Sequence, residues 1–285
     1  VLEAARVLAA YPLDFTVRFI AFSAEEWGLF GSRAHAAAAR QAGERIIGVI
    51  NLDMIAYADA MPEDLQVIVN TASGWLADRF LAAASDYAGM GATKTVDASF
   101  IYSDHSPFWD NGYPALLAIE DDPLNNPYYH QTTDTLDRLN PTFFTDSTRA
   151  AVGLLAELAQ PIRAGYPATP VGLTAAPVAC SSLFNDLTAV RLAWDAVAGA
   201  AGYNIYRAAE THLNYIKIND MPVTSRQYLD DDVSAGGIYY YVVTAVDGAG
   251  LEGNRSREES VAFSIPATRG VTISGAIFLR IWGFR

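Results

Sequence analysis

An α/β layered unit followed by an all-β sandwich is the architecture this sequence predicts, on three observations. Residues 1–165 alternate helical periods with short apolar runs of strand length. A stretch rich in proline and glycine, RAGYPATPVG, then breaks the pattern, and beyond it the hydrophobic period falls to two. With 285 residues, 51% of them hydrophobic and 18% charged, the chain can bury the cores of two domains.

The elements follow in order. VLEAARVLAAYP reads as the body of an amphipathic helix with no capping residue before it, so the domain is expected to begin upstream of Val1; neither the charged nor the apolar region of a signal peptide is present. TVRFIAF (16–22) is apolar enough for a buried strand, and the helix running through SRAHAAAARQAG ends at Gly43. IIGVINLDM (46–54) and LQVIVNTA (65–72) predict two further strands, and GWLADRFLAAASDYAG a long helix. The chain then turns polar through ATKTVDASFIYSDHSPFWDNG before YPALLAIED (113–121) returns as a buried strand. Proline and asparagine mark DPLNNPYYHQTTDTLDRLN as loop, and FFTDSTRAAVGLLAELAQ closes the unit as a helix. In the second unit VRLAWDAV, GYNIYRAA, YIKIN, YYYVVTAVD and SVAFSI read as strands joined by short turns. The terminal apolar stretch ISGAIFLRIWGF is too short to span a bilayer and is interrupted by Arg280, which predicts a stray strand or a sorting tail.

Charge narrows the partners. The net charge of −13 is concentrated in residues 1–165, where 10 Lys and Arg face 21 Asp and Glu. Such a surface repels phosphate backbones and anionic lipid, so nucleic acid and membrane are not expected, whereas cations and substrate ammonium groups are favoured. Cys180 is the only cysteine, which excludes an internal disulfide and a thiolate zinc site.

Six acidic or imidazole residues stand out. Ser23-Ala24-Glu25-Glu26 follows the first apolar run, where open sheets place ligand-binding residues; Ser three residues before Glu is equally the pattern of a helix capping box. Asp53 ends the second predicted strand, as a turn residue or as a carboxylate reaching a cation shared with Glu26. His130 sits in a loop with no period that would bury it, and imidazole with carboxylate suits zinc. Asp104 and His105 are adjacent on a segment read as extended, so their side chains diverge; a supporting or substrate-pocket position suits them better than shared ligation. His35 and His212 read as structural or exposed. No H-E-x-x-H helix, G-x-S-x-G elbow or phosphate-cradling glycine loop is present.

Taken together, FSAEEWGLFGS, INLDMIAY, YSDHSPFWDNGYPALLAIED and YYHQTTDT resemble, in order and spacing, blocks of the secreted di-zinc aminopeptidase family. The resemblance implies a mixed sheet with helices on both faces. It implies that Glu25 is the general base, that Glu26 and His130 bind one zinc and Asp53 the other, and that Tyr129 steadies the developing oxyanion. Asp104 and His105 would lie near the substrate pocket, and Asp134 would orient His130. Glu25 would take a proton from water bound to two Zn2+ ions and return it to the leaving amine of a peptide with a free N-terminus. The family's His-x-Asp motif and bridging Asp precede the helix that VLEAARVLAA resembles, so the site in this sequence is expected to be incomplete and the fragment inactive.

Residues 166–267, with VRLAWDAV, GYNIYRA and YYYVVTAVD, resemble a fibronectin type III domain, with Trp194 as its core tryptophan; such a module would act as a spacer or bind surfaces. The expected division is a zinc peptidase domain at 1–165 lacking its N-terminal portion, this module, and an apolar tail at 268–285. Alternatives kept open are a carboxypeptidase or glutaminyl cyclase on the same scaffold, and a non-catalytic peptidase-like binding protein. The resemblance also implies a secreted or cell-surface protein of bacterial kind.

Overall fold

The computed structural model describes residues 1–58, 65–181 and 186–264. The apolar tail at 268–285, the last residue of SVAFSI and the end of the second domain lie outside the described residues.

In the first unit α1 (Leu2–Leu8) leads through an extended segment to α2 (Phe30–Gln41), which ends where Gly43 takes a left-handed φ of 68°. A four-stranded sheet follows, from β1 (Val49–Leu52), β2 (Leu65–Val69), β3 (Ala92–Val96) and β4 (Ala115–Glu120), in the order β1-β4-β2-β3. The pairs β1–β4 and β2–β3 are parallel and β2–β4 is antiparallel, so the sheet is mixed as expected.

Between β2 and β3 runs α3 (Gly74–Ala83), continued by one π turn over Ala84–Ala88; α4 (Ser106–Asp110) precedes β4. The closing helix α5 (Pro141–Ala159) starts where the Asn140 side chain accepts from the Thr142 and Phe143 amides, with Pro141 at its first position. Strand alternation divides the core between two faces. Leu116 and Ala118 of β4, with Leu65, Val67 and Val69 of β2, pack under Trp75, Phe80, Phe143 and Leu154 of α3 and α5. Leu117, Ile119 and Ile68 face the other way, towards Trp109, and Ala115 joins Phe108 and α2 there. Helices thus cover both faces.

Residues 16–22 correct the expectation. They belong to no strand among the described residues, and their side chains are exposed or half-buried, none of them fully buried. Apolar density alone makes a segment extended; a strand also needs a neighbouring backbone in register, which this run lacks. Two further differences lie in the stretch read as polar loop, where β3 and α4 form. β3 is an edge strand whose side chains are mostly solvated, so its ATKTV sequence carries no buried-strand signal.

The second unit is an all-antiparallel sandwich of the fibronectin type III kind. One sheet is β5 (Thr174–Ser181), β6 (Asp186–Ala193) and β9 (Gln227–Asp230); the other is β11 (Glu259–Ala262), β10 (Ile238–Val246), β7 (Gly202–Ala208) and β8 (Ile216–Lys217). Trp194 is in the core, its ring 5.3 Å from that of Tyr203, with Ile205, Tyr241 and Val243 around it. The GYNIYR and YYYVV segments pair across the sheet, Tyr206 opposite Val242. No described helix is long and apolar enough to cross a membrane.

Candidate metal centre

The Ser23–Leu29 loop carries Glu25 and Glu26, and it is not a helix cap. α2 begins only at Phe30, after Leu29 in a left-handed conformation with no side-chain cap bond, which removes the capping-box reading. The loop is instead tied back by its own backbone: the Gly31 amide donates to Ser23 O (3.0 Å) and that of Leu29 to Glu25 O (2.8 Å). Gly31 is required for this approach, because a Cβ there would stand 2.7 Å from both the N and O of Ser23.

Asp53 follows β1, its amide donating to Ala118 O of β4 (3.1 Å). The Ser103 hydroxyl donates to Asp53 Oδ2 (2.7 Å), and the Asn51 amide donates to Ser103 Oγ (2.7 Å). Ser103 and Asn51 were missed from the sequence. Asn51 was reachable, since residues two apart on a strand share a face with Asp53.

The two loops meet at Glu26 and His130, 104 residues apart in sequence, with His130 Nε2 2.7 Å from Glu26 Oε1. Tyr129 stacks on the His130 ring at 4.0 Å. Burial, then the charges of Glu26, Asp53 and Glu25, hold its phenol above the ordinary range, so it stays a donor. Glu25 is half-buried beside them. Burial first, then the charges of Asp53, Glu26 and Asp104, push its carboxyl up to about 7, against a smaller opposing pull from His130. Burial likewise raises Asp104 above the ordinary carboxylate range, opposed by a Ser32 hydrogen bond, while its Oδ1 is buried without a partner.

His105 turns the other way, fully buried, with Nε2–H donating to Phe100 O (2.9 Å) and its ring edge-on to Trp109 at 4.4 Å. Asp134 is not brought to His130. Its side chain is exposed, and its amide closes a turn onto Gln131 O (3.1 Å).

Four non-glycine residues flanking these groups have positive φ: Ala24 (55°), Leu29 (61°), Met54 (47°) and His130 (56°). Each such conformation costs on the order of 1–3 kcal/mol and persists where the surroundings impose it, a pattern common at functional sites. The donors are imidazole nitrogen and carboxylate oxygen, the set zinc accepts, gathered where unneutralised acids crowd one another. They come as the Glu26–His130 pair and Asp53 beside it. Among the described residues no three His, Cys, Asp or Glu converge tightly enough to hold an ion alone. By donor type these residues suit zinc, and the Glu26–His130 pair places two such donors side by side.

The model of peptidase family M28 matches residues 1–155, which contain every one of these groups. The chain belongs to this family. Leucine aminopeptidase 1 of Arthroderma otae is 31% identical over 153 residues, covering 51% of this chain and 40% of the fungal protein. The chain thus spans about 40% of the length of that curated relative. The solved structure of LapB from Legionella pneumophila is 26% identical, covers 56% of this chain and 44% of that chain, and superposes with a TM-score of 0.51. An Fn3-like protein from Clostridium thermocellum is 35% identical and covers 35% of this chain and 97% of that one, with a TM-score of 0.30.

Within the M28 domain the Ser103–Asp53 bond gives a direct prediction. Outer partners that orient a ligand are commonly worth 10–100-fold in metal affinity. On the reading proposed below, in which Asp53 is a metal ligand, Ser103→Ala is expected to weaken zinc binding by about tenfold, by calorimetric titration, with secondary structure unchanged. Unaltered affinity would show that Asp53 is held by other means.

Proposed function

We propose that the M28 domain serves the removal of N-terminal residues from peptides, with Glu25 as general base and Glu26, Asp53 and His130 as ligands of two zinc ions. The observation that carries this reading is the meeting of His130 with Glu26 beside half-buried Glu25, from loops 104 residues apart. An ion pair with no task would gain little at such an exposed position.

Zinc held by these ligands would supply Lewis acidity towards a peptide carbonyl and water. The chain's own groups do the rest. Glu25, whose carboxyl is pushed up to about 7 by burial and neighbouring charges, takes the proton of the attacking water and delivers it to the leaving amine. Tyr129, kept protonated, donates to the oxygen on which negative charge develops. Asp104 stands beside Glu25, and His105 anchors the 100–105 turn that carries it. The excess of acids favours a substrate ammonium. The setting we infer is extracellular, as in the secreted members the chain resembles.

The test is hydrolysis of leucyl-p-nitroanilide by the zinc-loaded full-length gene product, against the N-acetylated substrate, a C-terminal reporter peptide and an N-terminal glutamine peptide. Hydrolysis of the free-amine substrate alone, abolished by chelation, is expected. Preference for the C-terminal reporter or cyclisation of glutamine would overturn the reading in favour of those chemistries. Tight zinc binding without turnover of any substrate would make the domain a binding protein.

A further inference from the structure

The second unit lies against the M28 domain at the sheet edge opposite Asp53. The N-terminal ends of β1 and β4 and the C-terminal end of β2 form that edge, and Ile46, Ile47, Ala72 and Pro114 there border a cleft of about 690 Å3 whose far wall is the sandwich.

Across the cleft, the 209–215 loop joining β7 to β8 reaches the M28 domain. Leu213 packs against the M28 core, and the His212 ring lies 4.4 Å from buried Trp75 of α3. One α3 guanidinium, that of Arg79, donates to His212 O (3.2 Å) and to Glu157 of α5 (2.6 Å), linking the loop to both helices. On the sandwich side Glu258 clasps the same loop, accepting from Thr211 Oγ1 (2.6 Å), the His212 amide (2.8 Å) and the Tyr215 hydroxyl.

Backbone and side chains of the two domains also satisfy one another below this loop. Asn254 donates to Asp14 Oδ2 (2.6 Å) and Pro161 O (3.1 Å); Gln160 donates to Arg255 O (3.1 Å) and accepts from the Arg255 amide (2.9 Å). Among the described residues the remaining non-glycine residues with positive φ are Gln160, His212 and Asn214, and all three belong to this contact. Left-handed non-glycine backbone is thus found, among the described residues, at the metal centre and the domain junction, where tertiary contacts over-determine the chain. A module tethered as a spacer would pair its polar groups within itself and leave Leu213 to solvent.

We propose that the sandwich is a fixed structural half of the peptidase unit, clamped through its 209–215 loop to the sheet edge opposite the metal centre. The two domains then fold as one body, and the metal centre stays uncovered. This assignment differs from the spacer role expected from the sequence.

The linker is exposed at residues 162–166, so a protease site can be placed after Gly165 in the full chain. After cleavage the two halves are expected to co-elute on gel filtration, and the uncut chain to melt in a single calorimetric transition. Arg79→Gln and Leu213→Ser should each raise the dissociation constant of the cut halves at least tenfold. The uncut and cut wild-type proteins carry the test even if a variant fails to fold. Halves that separate on cleavage, or two independent melting transitions, would overturn the proposal.

Discussion

Glu25→Gln is expected to lower kcat of the zinc-loaded full-length gene product by about 10²–10⁴-fold, with zinc stoichiometry unchanged. Glutamine has nearly the same shape and can accept a hydrogen bond, but it cannot take a proton and pass it on. Glu25 is separate from the Glu26–His130 pair, and Asp53 is held by Ser103 and Asn51, so the ligands keep their positions without the Glu25 charge. The substitution removes one of the carboxylates crowded around Asp53, Glu26 and Asp104, so the fold is not weakened by it. Substrate binding relies on other groups, so kcat and kcat/KM should fall together with KM nearly constant. Glu26→Ala or His130→Ala should behave differently, losing zinc itself. Turnover near the wild-type level in Glu25→Gln would remove Glu25 from the mechanism; loss of zinc in the same variant would make it a ligand.

The legibility of these parts follows the range of the interactions that fix them. Period-two aromatics in GYNIYR and YYYVV specify their own pairing, because each strand buries one face against the same core. Gly43 ends α2 through a local dihedral, so that end was read directly, whereas α5 starts at Pro141 under the Asn140 cap, two residues before the helix read from the sequence. β5 could not: AAPVACS shows no alternation of large apolar residues, and its pairing with β6 decides it. Residues 16–22 failed for the opposite reason, since their local signal was strong and the ladder partner absent.

The site divides in the same way. Glu25, Glu26, Asp53 and His130 were singled out from residue types at element ends and from ordered blocks; that Glu26 and His130 face each other came only from the resemblance, since nothing local links residues 104 apart. Ser23 to Glu26 fits a capping box by spacing alone; the left-handed Leu29, which delays α2 to Phe30, is a tertiary outcome. The domain junction was hidden altogether, because His212 and Leu213 lie in a polar loop whose partners, Trp75 and Arg79, are more than a hundred residues away.

His105 should make the M28 domain sensitive to acid in a defined window. Its ring is fully buried, its Nε2–H is committed to Phe100 O, and Nδ1 has no partner, so a second proton would be placed on a nitrogen with nothing to receive it. Burial therefore depresses its pKa from 6.5 to about 4. Between these values the unfolded chain binds the proton and the folded chain does not. The contribution is fully present above about pH 6.5, falls as pH drops towards 4, and amounts to about 3 kcal/mol. Glu25 acts with the opposite sign, because its raised carboxyl keeps a proton in the fold that the unfolded chain has released, so the wild-type curve alone mixes the two. The comparison with His105→Gln separates them, since the glutamine amide can still donate to Phe100 O but does not titrate. Denaturant midpoints at pH 7 and pH 4.5 should show wild type losing about 2 kcal/mol more than the variant across that interval. Parallel losses would mean that the fold takes up the His105 proton as readily as the unfolded chain does, so that burial of the ring costs the imidazolium nothing.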